Sequence, residues 1–177
     1  QFTRKTGNLS IALNKKIIDE LKGRLTYINY YFQGEPYINK NFFDFVQYAN
    51  SKKIFCSTST NGHFLNDENC VKTIESGLKR LIISIDGNSQ ETYEIYRKKG
   101  KYERVIEGTK NIIKWKKELN SEYPHVIFQF LVVKTNEHLI EEMKTLAADL
   151  GVDELRLKTA QFYNFENGNE LIPDNEK

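Results

Sequence analysis

Cysteine is scarce in this chain, and its scarcity excludes more than any abundant residue implies. The 177 residues contain two, Cys56 and Cys70, fourteen positions apart. That spacing makes neither a disulfide framework nor a run of metal ligands, and it fits a reducing, cytoplasmic setting. No apolar run approaches the roughly 20 residues that a membrane helix needs, and no signal peptide is apparent. Charge of one sign is missing too. The 26 basic and 24 acidic side chains leave a balance of +2, which gives no argument for nucleic acid or a membrane as partner. Neither a Gly-x-Gly-x-x-Gly nor a Gly-x4-Gly-Lys-Ser/Thr occurs, so a nucleotide-binding enzyme lacks its phosphate loop. The first residue is Gln1 rather than Met, so the true N-terminus is expected to be missing or processed.

What is present reads as a globular chain. It is 39% hydrophobic and 28% charged, and long enough for one domain with a real core. Helical stripes and β-rich runs alternate. A helix is expected over 9–21, with Leu13, Ile17, Ile18 and Leu21 as its apolar stripe. Further helices are expected over 42–49 behind Asn41, from Asn66 or Asp67 to Ser76, over 102–119, and from beyond Asn136 to Gly151. Strands are expected over 25–32, 54–60, 81–85, 126–133 and 152–158. No linker divides the chain, so residues 1–177 read as a single domain with its core at about 9–160 and an irregular tail over 161–177.

Strands alternating with helices predict a parallel sheet with right-handed crossovers. Five strands are too few to close an eight-stranded barrel. An open doubly wound sheet and a section of a larger barrel both remain. In either, ligands bind at the carboxyl ends of the strands. Those ends are Gln33-Gly34-Glu35-Pro36, Thr58-Ser59-Thr60-Asn61-Gly62 and Ser84-Ile85-Asp86-Gly87, each small and polar after an apolar run. Gly34 would let a ligand approach the backbone. Thr60 and Ser84 can bond a carboxylate or a ribose. A buried Asp86 must be paired. Arg97 suits a carboxylate. Each motif is also an ordinary turn when taken alone.

Taken together and in order, these three strand ends resemble the radical SAM superfamily, in particular members carrying a C-terminal cysteine-rich SPASM domain. The resemblance covers roughly residues 10–160. Gly34-Glu35-Pro36 is similar to a Gly-Gly-Glu-Pro motif, with Gln33 in place of the first glycine. Thr60-Asn61-Gly62 and Ser84-Ile85-Asp86-Gly87 resemble the next two strand ends. Tyr102-Glu103-Arg104-Val105, Val132-Val133-Lys134-Thr135-Asn136 and Gly151-Val152-Asp153-Glu154-Leu155-Arg156 resemble later stretches. The implied fold is a partial (β/α) barrel with about five parallel strands and helices on the outer face.

The resemblance implies an Fe-S oxidoreductase that cleaves S-adenosylmethionine reductively to a 5′-deoxyadenosyl radical and abstracts hydrogen from a substrate, with a peptide or protein as the substrate class. It implies cofactor contacts at Gly34, Glu35, Pro36, Thr60, Ser84, Asp86 and Arg97, with Arg104 the alternative to Arg97. The [4Fe-4S] cluster of this family rests on Cys-x3-Cys-x2-Cys, which this sequence lacks. Cys56 and Cys70 are therefore expected to be structural, and the cluster ligands to lie upstream of Gln1. The chain alone is expected to be inactive, and to self-associate through the strand edge that a missing first strand would expose. A non-catalytic, barrel-derived peptide-binding or protein-binding module is the alternative reading of the same absence.

Overall fold

The computed structural model describes residues 7–160 and 171–173. Most of the tail, expected to be irregular over 161–177, lies outside the described residues. Helix α1 spans Ile11–Leu21 and starts on Ser10, whose hydroxyl accepts the Leu13 amide at 3.2 Å. The remaining elements alternate: β1 Tyr27–Asn29, α2 Phe42–Ser51, β2 Phe55–Thr60, α3 Asp67–Glu75 and β3 Arg80–Ser84. After them come α4 Gln90–Tyr96, α5 Tyr102–Glu118, β4 His125–Val132, α6 Ile140–Leu150 and β5 Glu154–Thr159. Short 3-10 turns occupy Pro36–Ile38 and Glu137–Leu139.

All five strands are parallel, and their order in the sheet is β1-β2-β3-β4-β5. A doubly wound sheet reverses its strand order at a switch point, which puts helices on both faces. This order never reverses. Right-handed crossovers that always step the same way keep every helix on one face, as in a section of a (β/α) barrel. The doubly wound alternative is thereby overturned.

The two faces differ sharply. Cys56, Leu81, Ile83, Ile85, Val126, Phe128 and Phe130 point toward the helices and join one core with Ile18, Val46, Leu65, Ile112 and Met143. The opposite face is polar along much of its length, because alternate residues of each strand share it. At its amino end, Tyr27 stacks on Phe55 with ring centroids 5.4 Å apart, and the Arg80 guanidinium lies 5.3 Å from the Phe55 ring. His125 meets Glu154 at 3.2 Å, and Arg156 meets the same carboxylate at 2.7 Å. At its carboxyl end this face presents Ser59, Ser84 and Gln129, with Ser84, Gln129 and Arg156 in register on adjacent strands.

Three expectations need correcting. The first strand covers Tyr27–Asn29 rather than 25–32. The Arg24 and Leu25 amides both bond the Leu21 carbonyl, and the Tyr30 carbonyl takes the Thr58 hydroxyl, so pairing ends early on both sides. No helical stripe marks residues 88–101, yet α4 lies there. Ser89 and Thr92 form a reciprocal capping box, the signal that announces this helix. Finally, the apolar stripe of α1 is only partly buried: Ile18 enters the core, whereas Leu13, Ile17 and Leu21 are exposed. The helix packs at the margin of the fold against α2, so its stripe is not covered by the described residues.

Candidate functional site

The strand ends converge through side-chain chemistry that the sequence pattern does not reveal. After β1 the chain leaves the sheet and turns at Gly34, whose φ of +83° lies in the left-handed region. A Cβ there would meet nothing within 4 Å, so space is open in front of this backbone. Among the described residues, the carbonyls of residues 31–33 accept no hydrogen bond. They are free to receive a donor such as an ammonium group.

Glu35 closes this turn onto β2. Its carboxylate accepts the Thr60 hydroxyl at 2.8 Å, the Asn61 amide at 2.8 Å and the Tyr37 amide at 3.3 Å. Burial pushes its pKa up, and these three donors pull against that rise without reversing it. Pro36 follows as the first residue of the 3-10 turn, where its fixed φ and missing N–H cost nothing.

The alternation of β2 divides its polar residues. Thr58 and Thr60 face the helices, while Ser57 and Ser59 face the other way. Thr60 is 3% exposed, and its hydroxyl, besides donating to Glu35, accepts the Gly62 amide at 3.1 Å. Its side chain thus holds Glu35 and the turn. On the polar face, Ser59 Oγ lies 3.4 Å from Ser84 Oγ. Ser59 was not among the expected site residues; strand alternation from Ser57 was the available signal. One step deeper, the Ser57 hydroxyl is buried with no hydrogen-bond partner among the described residues.

The end of β3 is tied differently. Asp86 is 1% exposed; Oδ1 accepts the Leu131 amide at 2.9 Å and Oδ2 accepts Nε of Arg97. A buried carboxylate is costly unless paired, and here it is paired. Arg97, at the C-terminus of α4, is 31% exposed, and its terminal nitrogens form no hydrogen bond among the described residues. Arg104 sits exposed in the first turn of α5. His63 carries no local signal in the sequence, and Asn136, expected only ahead of a helix, also joins this network. His63 Nε2 accepts the Lys101 amide at 2.9 Å, fastening the β2 loop to the start of α5.

These residues fit the zwitterionic head of S-adenosylmethionine. Among the described residues, the carbonyls beside Gly34 and the terminal nitrogens of Arg97 have no hydrogen-bond partner, which suits its ammonium and its carboxylate, and Ser59 and Ser84 offer hydroxyls. A [4Fe-4S] cluster does not fit. Cys56 and Cys70 are wholly buried in the core, with burial pushing each thiol up to about 12. Among the described residues, no group of three His, Cys, Asp or Glu side chains could hold a metal ion. No helix among them is long and apolar enough to cross a membrane.

Known proteins resemble this chain in sequence and in fold. A mycofactocin maturase, MftC, of Mycolicibacterium smegmatis is 27% identical over 143 residues, which are 81% of this chain and 35% of the maturase. An AdoMet-dependent heme synthase of Methanosarcina barkeri is 30% identical over 148 residues, 82% of this chain and 40% of the synthase. The chain therefore spans less than half the length of these relatives. Among solved structures, anSMEcpe with bound AdoMet and a Cp18Cys peptide superimposes with a TM-score of 0.72 at 13% identity, over 94% of this chain and 48% of that one. Streptococcus suis SuiB bound to S-adenosylmethionine gives 0.70 at 14% identity, over 98% of this chain and 39% of SuiB. At such identities these two likenesses concern the fold, and the fold is the partial barrel derived above. The family model for the radical SAM superfamily matches residues 1–146, and with that match the chain belongs to the radical SAM superfamily.

Proposed function

We propose that this chain supplies the S-adenosylmethionine-binding strand ends of a radical SAM oxidoreductase. The observation that carries the reading is the meeting of an open left-handed turn at Gly34, a Ser59–Ser84 hydroxyl pair and an anchored Arg97 at one end of one parallel sheet. In this reading the carbonyls beside Gly34 receive the ammonium, Glu35 and Thr60 hold that turn to β2, and Pro36 stiffens its exit. Ser84 contacts the cofactor on the polar face, and Asp86 presents Arg97 to the carboxylate. When bound and cleaved reductively, S-adenosylmethionine supplies hydrogen-atom abstraction from the substrate.

The cluster ligands come from outside residues 1–177, since neither cysteine here is available to serve. Residues 1–177 alone therefore bind the cofactor weakly and do not turn it over. A peptide or protein is the proposed substrate class, supported by a peptide-bound structure among those with the same fold and by the maturase among the relatives. The edge of β1, flanked by Tyr31 and by Phe32 at 87% exposure, is proposed to pair with a second copy of the chain. Sedimentation across a concentration series tests that last point, and a strictly monomeric profile removes it.

The binding claim is tested by titrating S-adenosylmethionine into the 15N-labelled chain. Shifts are expected at the Gly34, Asn61, Gly62 and Ser84 amides, and they are expected to shrink in Ser84→Ala and Arg97→Ala. No shift at these amides at millimolar cofactor, or shifts confined to the opposite end of the sheet, would overturn the site. Release of 5′-deoxyadenosine by the chain under dithionite would overturn the statement that it does not turn the cofactor over.

A further inference from the structure

Asn136 precedes the 3-10 turn that leads into α6, and its side chain is 2% exposed. Its hydrogen bonds reach two strands. Nδ2 donates to the Asp86 carbonyl at 3.1 Å and to the Leu131 carbonyl at 2.9 Å. Oδ1 accepts the Val133 amide at 2.8 Å. Leu131 in turn donates its own amide to Asp86 Oδ1 at 2.9 Å. Asn136 therefore fixes both the backbone of Asp86 and the strand residue that orients the Asp86 carboxylate. Oδ1 takes the Leu131 amide and Oδ2 takes Nε of Arg97, so the carboxylate is oriented between the two. The planar guanidinium is then held through Nε, and its terminal nitrogens form no hydrogen bond among the described residues.

We propose that Asn136 and Asp86 are positioning residues that aim Arg97 at the carboxylate of S-adenosylmethionine. The proposal rests on the reading above, in which Arg97 takes that carboxylate. It goes further by assigning Asn136 a role in holding Asp86 and, through it, Arg97. A purely structural alternative is available: Arg97 could serve only to neutralise a buried Asp86. The two differ in one observable. A structural pair affects all ligands alike, whereas a positioning pair affects only ligands that carry the carboxylate.

The test compares two probes on the full chain, S-adenosylmethionine and its analogue lacking the carboxylate, by NMR titration. The unmodified chain is expected to favour S-adenosylmethionine by about ten-fold, the scale of a hydrogen-bonded charge contact. Asp86→Asn keeps the acceptor for Leu131 and loses the charge that holds Arg97; Asn136→Ala removes the brace behind it. Both are expected to bring the preference close to one while binding of the analogue stays within about two-fold. Arg97→Ala is expected to do the same, and Arg97→Lys to restore part of the preference. If Arg97→Ala abolishes the preference but the folded Asp86→Asn and Asn136→Ala variants keep it, the positioning role is wrong and the Arg97 reading stands. If Arg97→Ala leaves the preference intact, the Arg97 reading itself is wrong. Either of the two positioning variants suffices for the test, so the failure of one to fold does not remove it.

Discussion

The carboxylate of Glu35 accepts the Asn61 amide at 2.8 Å, joining the turn after β1 to the end of β2. Those segments lie 26 residues apart in the chain. The same carboxylate takes the Thr60 hydroxyl, so three neighbouring residues make one clamp beneath the open backbone at Gly34.

Removing the hydroxyl from that clamp has a definite cost. Thr60→Val deprives Glu35 of a donor and leaves the buried Gly62 amide without its 3.1 Å acceptor. The expected destabilisation is about 1–3 kcal/mol, the cost of leaving buried polar groups unpaired. Urea denaturation should show a lower midpoint with an unchanged slope. An unaltered midpoint would show that the clamp contributes nothing to the fold.

Glu35 also gives the clamp a pH dependence. Burial raises its folded-state pKa above the unfolded value, so the folded state binds the proton more tightly. Its contribution to stability is therefore fully present below the unfolded carboxylate range, at about pH 4, and is lost as pH rises through the raised value. Glu35→Gln abolishes this component. The stability of the unmodified chain relative to Glu35→Gln is expected to fall as pH rises from about 4 toward neutrality. Paired denaturation series check it, and a difference that grows with pH contradicts it.

Two glycines at the ends of β1 and β3 should respond unequally to alanine. Gly34→Ala meets open space and costs only the left-handed backbone strain, about 1–2 kcal/mol. A Cβ at Gly87 would lie 2.4 Å from the Tyr93 backbone nitrogen and 2.6 Å from Thr92 Oγ1. Relief requires α4 to move, and with it Arg97. Gly87→Ala should therefore be the more destabilising of the two, by thermal melting, and should also weaken cofactor binding. Equal melting temperatures would contradict the packing of α4 against this turn.

Both thiols should be inert in the folded protein. Cys56 and Cys70 are buried, and burial pushes each up to about 12, so neither ionises near neutral pH. Ellman's reagent is expected to report no reactive thiol in buffer and two in strong denaturant. Prompt reaction in buffer would reopen the question of their availability to iron.

Much of this was legible in the residues. The apolar run Leu81–Ile85 reads as a covered strand, and Leu81, Ile83 and Ile85 do enter the core. The stop at Gly151 is visible, and that residue caps α6 with φ +74°. Small polar residues after apolar runs marked the strand ends. What escaped notice depended on partners distant in sequence. The short β1 follows from hydrogen bonds to Leu21 and Thr58 that no local pattern contains. Helix α4 was missed because its seven residues are too few for a helical stripe, leaving the Ser89–Thr92 box as its one local sign.

The sequence by itself determined the alternation of strand and helix, the scarcity of thiols and the order of the three strand-end motifs, because each depends on local spacing or composition. Tertiary structure decided the rest. It chose a barrel section over a doubly wound sheet, since strand order is a property of how crossovers step and not of any one segment. It turned Thr60 toward Glu35 and Ser59 toward Ser84, since alternation separates the two faces but only packing decides which one the helices cover. It also paired Asp86 with Arg97 and braced both with Asn136, a residue 50 positions from Asp86 whose polar side chain, once buried, had to find partners there.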